Sequence, residues 1–374
     1  AALVRGFAED HGLRAMVRNA VNRLARRVVE HTGRAGEHYI AASGSEWRSM
    51  GFGAMGAGAI TAFTALFKYM LAAAPLAPFW TGVAHSLNYV LCFLLMQALG
   101  WALASKMPAM TASALARAMG KDDMREEVGL IAAIIRTQLV VTLGNLAGAI
   151  PCALAVDAVL RWRTGHTFLS AEAAAHGLHS MNPIGSGTLL FAAITGGFLW
   201  LASLAAGWTA NWMVRRRLPV AVARSRSLGR LIGAERAQRL GKAVENDLSG
   251  GMGYVVLGFL LGLLPFIGAF GGIPLEVRHI TLASASVAYD VSAFFGAPRI
   301  PLIEIAEAFA GVAATGALNL GVSFALGLWL AVRVRNLDTR GRRKLLGALW
   351  RELRTHPSRF LWRDDGEAAP RHEH

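Results

Sequence analysis

Six stretches of the chain stay apolar for more than twenty residues with few interruptions: Gly51–Ala74, Phe79–Ala104, Gly129–Leu160, Gly187–Val214, Gly251–Gly272 and Ala306–Val332. A helix of about 20 such residues crosses the hydrocarbon layer of a bilayer. Each stretch is too long and too evenly apolar for a strand. The expected fold is all-α: a polytopic transmembrane helical bundle of about six spans. The third and fourth stretches are long enough to tilt or to run past the lipid. A shorter stretch, Ile280–Gly296, is moderately apolar but carries Asp290, Tyr289 and three serines. It reads as an external or re-entrant helix before the last span. A re-entrant form would line a cavity, because non-helical backbone at membrane depth needs protein or water around it.

The basic residues fall on alternate connections. Of 38 Lys and Arg, 32 lie before the first span, between spans two and three, between four and five, or after the sixth. Four lie on the other connections (Arg161, Arg163, Arg278, Arg299), and Lys68 and Arg136 lie within spans. Basic loops stay on the cytoplasmic side. An inner-membrane protein with both termini cytoplasmic follows, and this parity excludes Ile280–Gly296 as a seventh crossing. Three regions result: a basic amphipathic helical segment over 1–50, a transmembrane domain over 51–335, and a basic tail over 336–374 whose end is expected to be disordered.

Composition agrees. The chain of 374 residues is 54% hydrophobic and 17% charged, against about 25% charged in soluble domains. That excludes a disordered chain, a collagen-like chain and a disulfide scaffold. Its net charge of +14 is accounted for by the cytoplasmic loops, so nucleic acid is disfavoured as a partner. Membrane lipids, a second copy or another membrane protein fit better. Residues 10–30 place Leu13, Val17, Ala20, Leu24 and Val28 on one helical face among arginines. That helix either lies on the anionic leaflet or packs on other cytoplasmic helices. Arg224–Lys242 reads as a second basic helical stretch. Cys92 and Cys152 lie within spans and do not suggest a disulfide or a metal pair. The chain opens Ala1-Ala2-Leu3 without Met, as a piece of a longer protein would.

Two spans share a pattern: Gly144-x3-Gly148-x2-Pro151 and Gly258-x3-Gly262-x2-Pro265, 114 residues apart. Each is followed by a His-bearing connection and a span with one Asn, Asn211 or Asn319. This is either a duplicated helical hairpin or the coincidence of residues common in membrane helices. The prolines are expected to break or kink their helices.

Polar side chains inside lipid are costly, so each needs a reason. Lys68, Arg136, Asn145, Asn211 and Asn319 form either a polar pathway or packing glue between helices. Pro151, Pro265, Glu276, Arg278, His279 and Asp290 are the candidates for an external pocket built on proline-broken helix ends. His176 and His179 could share a helical face, but without a close third ligand no metal site is assigned. No cofactor and no catalytic residue is assigned either.

The stretches Leu87–Ala112, Ile194–Leu218, Gly262–Leu282 and Leu318–Phe324 resemble the bacterial membrane family known as "site-specific recombinase" (Gcr-type). The most specific strings are Lys106-Met-Pro-Ala-Met-Thr-Ala112, with Lys106, Pro108 and Thr111 as motif residues, and Pro274-Leu-Glu-Val-Arg-His279. Pro108 is expected to stop the second span, leaving Lys106 at its C-terminus, where a cation suits the helix dipole. The resemblance implies DNA strand exchange. Read from the residues, Tyr69, Tyr89 and Tyr254 fall in spans and Tyr289 on the outside, leaving Tyr39 in the cytoplasm. The expected activity is that of a transporter, a channel or an envelope-maintenance protein without covalent chemistry. The alternatives are the recombinase that the resemblance implies and a membrane enzyme acting on lipid.

Overall fold

The computed structural model describes residues 13–101, 107–119, 124–273, 275–295, 300–335 and 339–361. Among them the secondary structure is helical, with no strand. In chain order the helices are α1 (Leu13–Glu37), α2 (Gly44–Ala73), α3 (Pro78–Ala98), α4 (Met107–Ala118), α5 (Met124–Thr164), α6 (Ala171–Ser180) and α7 (Thr188–Arg216). Then come α8 (Leu218–Ala223), α9 (Arg226–Ile232), α10 (Ala234–Gly262), α11 (Leu264–Phe270), α12 (Ile280–Ser292), α13 (Leu302–Arg335) and α14 (Thr339–Thr355). A 3-10 turn at Pro357–Phe360 closes the described chain. Six helical stretches are long and apolar enough to cross a membrane: α2, α3, α5, α7, α10 with α11, and α13.

Several boundaries follow from local chemistry. Ser43 caps α2 by accepting the Glu46 N–H at 3.2 Å, and the Glu46 carboxylate accepts the Ala42 N–H at 2.7 Å. These bonds satisfy donors that a helix start would otherwise leave open. Helix α3 ends at Ala98, where Gly100 takes a φ of 69°. The stop expected at Pro108 is therefore ten residues early, and Pro108 sits in the first turn of α4 instead. A glycine in the left-handed region ends a helix before the proline is reached. Lys106 lies outside the described residues. The basic stretch Arg224–Lys242 is not one helix, because Gly233 (φ 89°) separates α9 from α10. Its second part continues into the fifth span.

The expected effect of the two prolines divides. Pro265 starts a new short helix after α10 ends, but α5 runs unbroken through Pro151 for 41 residues. A membrane helix absorbs the single lost backbone bond when its other bonds hold.

The tightest pairing is between α2 and α5, which run parallel. Gly51 and Ala54 lie against Gly144, Met55 against Gly148, and Gly58 against Asn145 and Ala149. A Cβ at Gly148 would fall on the Met55 carbonyl oxygen, and one at Gly58 on that of Asn145. Helices meet this closely only where small residues leave room. The other glycine pair serves a different neighbour: Gly258 and Gly262 meet Val90 and Ser86 of α3, which runs antiparallel to α10. Helix α1 buries Val28, Val29 and Thr32 against α4 and α7.

Candidate functional site: two buried half-helices and the polar stripes beside them

Two short helices are enclosed by the long ones. Helix α12 packs against α2, α5, α6 and α13, and every residue from Ile280 to Ala285 is buried. It begins at the middle of its neighbours. The Ile280 N–H donates to Asn319 Oδ1 at 3.1 Å, and the Thr281 hydroxyl lies 3.5 Å from Asn145 Oδ1. Asn319 and Asn145 are the mid-length residues of α13 and α5. Its far end lies near the C-terminal end of α5, where Arg161 donates to the Phe295 carbonyl at 2.8 Å. Thirteen residues rise about 20 Å, so the chain enters to mid-bundle along the segment before His279 and leaves as a helix. Of the two forms expected for Ile280–Gly296, this geometry is re-entrant.

Helix α4 is the counterpart from the opposite end of the bundle. Its residues Pro108–Ala116 are all buried. Ala109 lies against Gly327 of α13, Met110 against Gly36 and Ser113 against Gly33 of α1. Ala116 lies with Ala331 and Val332, nearer the basic end of α13. The N-termini of α4 and α12 therefore both point into the bundle. They rest on α13 eight residues apart, about 12 Å along its axis. Thr111, of the family string, is fully buried and donates to the Pro108 carbonyl at 3.1 Å.

Asn319 ties this arrangement together. Its amide donates to the Ala192 and Arg278 carbonyls at 2.8 and 2.9 Å, while its oxygen accepts the Ile280 N–H. Asn145 donates to the Ala54 carbonyl at 2.8 Å. Both asparagines belong to polar stripes at helical spacing. Gln138, Thr142 and Asn145 follow one another on α5, as Thr315, Asn319 and Ser323 do on α13. The buried polar atoms of Gln138, Thr142, Thr315 and Ser323 have no hydrogen-bond partner among the described residues. Most buried polar groups in folded proteins are paired, so four unpaired groups on two stripes require an explanation.

Charged side chains gather along α12 and the segment that leads into it. Asp290 is buried and accepts from the Tyr69 hydroxyl at 3.3 Å. Lys68 lies over the Tyr69 ring, 5.4 Å from its centre. Arg278 pairs with Glu276 at 2.6 Å and donates to the Ser180 carbonyl at 3.1 Å. The Arg278 N–H donates to Thr195 Oγ1. His279 is buried beside Phe93, with ring centres 6.2 Å apart.

The structure thus brings Lys68, Asn145, Glu276, Arg278, His279, Asp290 and Asn319 around one re-entrant unit. It leaves others elsewhere. Pro151 lies on the exposed face of α5 and Pro265 at the start of α11. Arg136 is buried near the basic end, donating to the Arg359 carbonyl at 2.6 Å and so holding the C-terminal turn. Asn211 lines a separate cleft. Sequence reading passed over Thr142, Thr315 and Ser323. The signal was present in the i, i+4, i+7 or i+8 spacing of small hydroxyl and amide residues within apolar spans. Among the described residues, no three His, Cys, Asp or Glu side chains cluster as a metal site.

Six apolar spans around two buried half-helices define a polytopic, all-α membrane protein. The family model for site-specific recombinase matches residues 1–363, so the chain belongs to that family. No curated protein and no solved structure matches it.

Proposed function

We propose that this is an inner-membrane protein of transporter or channel type. A small hydrophilic solute would pass along the stripes Gln138–Thr142–Asn145 and Thr315–Asn319–Ser323, between the inward-facing N-termini of α4 and α12. The observation that carries the reading is the set of four buried, unpaired polar groups on those stripes. Broken helices whose ends meet near the middle of the membrane are a recurrent device of transport proteins. The charges of Lys68, Arg278 and Asp290 around α12 add to it, because ionisable groups within a bundle are costly and cluster at solute paths.

The test is aqueous access. In a Cys92→Ala/Cys152→Ala background, Thr142→Cys and Ser323→Cys are expected to react with a membrane-impermeant thiol reagent. Leu143→Cys, on the outward face at 63% exposure, is expected to stay unreactive in lipid. If the stripe positions react no faster than the outward one, the pathway does not exist.

Orientation rests on the division of Lys and Arg, which places both termini in the cytoplasm. Ser170→Cys in whole cells should label from the periplasm and Arg230→Cys should not. The reverse pattern would invert the topology.

Strand exchange, which the family's description implies, stands second. All five tyrosines are described and none is exposed. Burial raises the Tyr39 phenol above its ordinary value, which suits a packed side chain rather than a nucleophile facing DNA.

A further inference from the structure

A cleft at the basic end of the bundle stands apart from the re-entrant unit. It has a volume of about 530 Å³ and is lined by Leu24 of α1 and by Trp208, Asn211, Trp212, Arg215 and Arg216 of α7. Trp208, Trp212 and Arg216 follow at steps of four, with Asn211 and Arg215 as the adjacent row, so the five form one stripe along the last turns of that helix. Both arginines are exposed. Trp208 is 51% and Trp212 39% exposed. Asn211 is 4% exposed, and its amide makes no hydrogen bond to any described residue while it lines the cleft.

These parts match one chemistry. Two guanidiniums bind a phosphate through several N–H donors. Tryptophan rings sit at the level of lipid headgroups, and Leu24 adds an apolar wall. Arg23, Arg26 and Arg27, exposed beside Leu24 on α1, extend the positive field. Basic pockets between transmembrane helices on the cytoplasmic side hold anionic lipid headgroups. A belt of interfacial anchors would not explain an amide that is buried yet open to the cleft.

We propose that this cleft binds the phosphodiester headgroup of an anionic phospholipid. Arg215 and Arg216 hold the phosphate, the Asn211 amide bonds the glycerol or phosphate oxygens, and Trp208 and Trp212 flank the acyl-chain end. The proposal does not depend on whether a solute crosses the bundle.

The test is native mass spectrometry of the detergent-solubilised full chain titrated with phosphatidylglycerol or phosphatidylcholine. Retention of phosphatidylglycerol over phosphatidylcholine is expected, by about tenfold or more, given about fivefold from each arginine. Arg215→Gln/Arg216→Gln should weaken phosphatidylglycerol binding by about thirtyfold on the same reckoning. Asn211→Leu should weaken it several-fold. Both variants should keep the parent's melting midpoint, because none of these side chains bonds the rest of the described protein. Soluble glycerol phosphate at millimolar concentration separates the two sources of a phosphate. Little displacement supports a lipid, and full displacement overturns it in favour of a free anion. Equal retention of the two lipids, or unchanged binding in the double variant, would reduce the cleft to ordinary annular contact.

Discussion

Gly148→Leu is expected to abolish the folded bundle. The glycine lies where α5 crosses α2, and any Cβ there would occupy the position of the Met55 carbonyl oxygen. Neither backbone can yield without parting the two helices. Separating them would expose the Ala54 carbonyl that Asn145 now satisfies and loosen the core of Ala62, Ala65, Ala149, Ala153 and Tyr289. Overpacking costs about 1–3 kcal/mol where side chains can adjust, and more where they cannot. At a backbone contact a loss above about 3 kcal/mol is expected, comparable to the stability of many folded proteins. The readout is the monodisperse fraction after detergent extraction, with the thermal midpoint of whatever remains. Gly197→Ala in α7 is the control. Nothing lies within 4 Å of its added carbon, so it should fold as well as the parent. If the two variants extract and melt alike, the close crossing of α2 and α5 is not what holds the bundle.

Asn319→Leu should release the re-entrant helix. Leucine keeps the branching and heavy-atom count of asparagine but leaves the Ile280 N–H and the Arg278 carbonyl without the partner they have now. Each buried orphan costs about 1–3 kcal/mol, although hydrogen bonds between membrane helices average nearer 0.6 kcal/mol because the unfolded chain finds other partners. A destabilisation of about 2–4 kcal/mol is expected, below the sum for two fully orphaned groups. It should be accompanied by faster tryptic cleavage after Arg278, whose side chain is only 16% exposed while Asn319 holds its carbonyl. Asn211→Leu makes the same chemical change in another span, where the amide bonds nothing in the described protein. It should leave both melting and cleavage unchanged. A normal Arg278 cleavage rate in Asn319→Leu would mean that packing of α12, and not this clamp, keeps the segment in place.

Much of the architecture was readable without coordinates, and the reason is the solvent. Lipid forces each crossing to be a long, evenly apolar helix, and that leaves a mark in composition that neighbouring helices cannot erase. The six spans and the alternation of basic connections were therefore legible from residues alone. The family strings were legible as well, although Lys106 falls outside the described residues. The spacing of Gly144 and Gly148 stands in the sequence too, and the fold shows its use: Gly pairs four apart let two helix backbones approach closely.

What the tertiary structure alone decided is which of the short segments go inside. Hydropathy measures the tendency to leave water and is blind to whether lipid or protein provides the shelter. Helix α4 looked like a connection because it is too short to span, yet the other helices bury it. Ile280–Gly296 was ambiguous for the same reason, until the bonds of Asn145 and Asn319 placed the start of α12 at mid-bundle. The direction in which each asparagine points depends on helix rotation and neighbours, so Asn211 and Asn319 looked equivalent along the chain and have different surroundings in the fold. Pro151 and Arg136 likewise sit in spans, but one faces outward and the other holds the C-terminal turn. Residue type sets what a side chain needs, and only packing determines whether a neighbour supplies it.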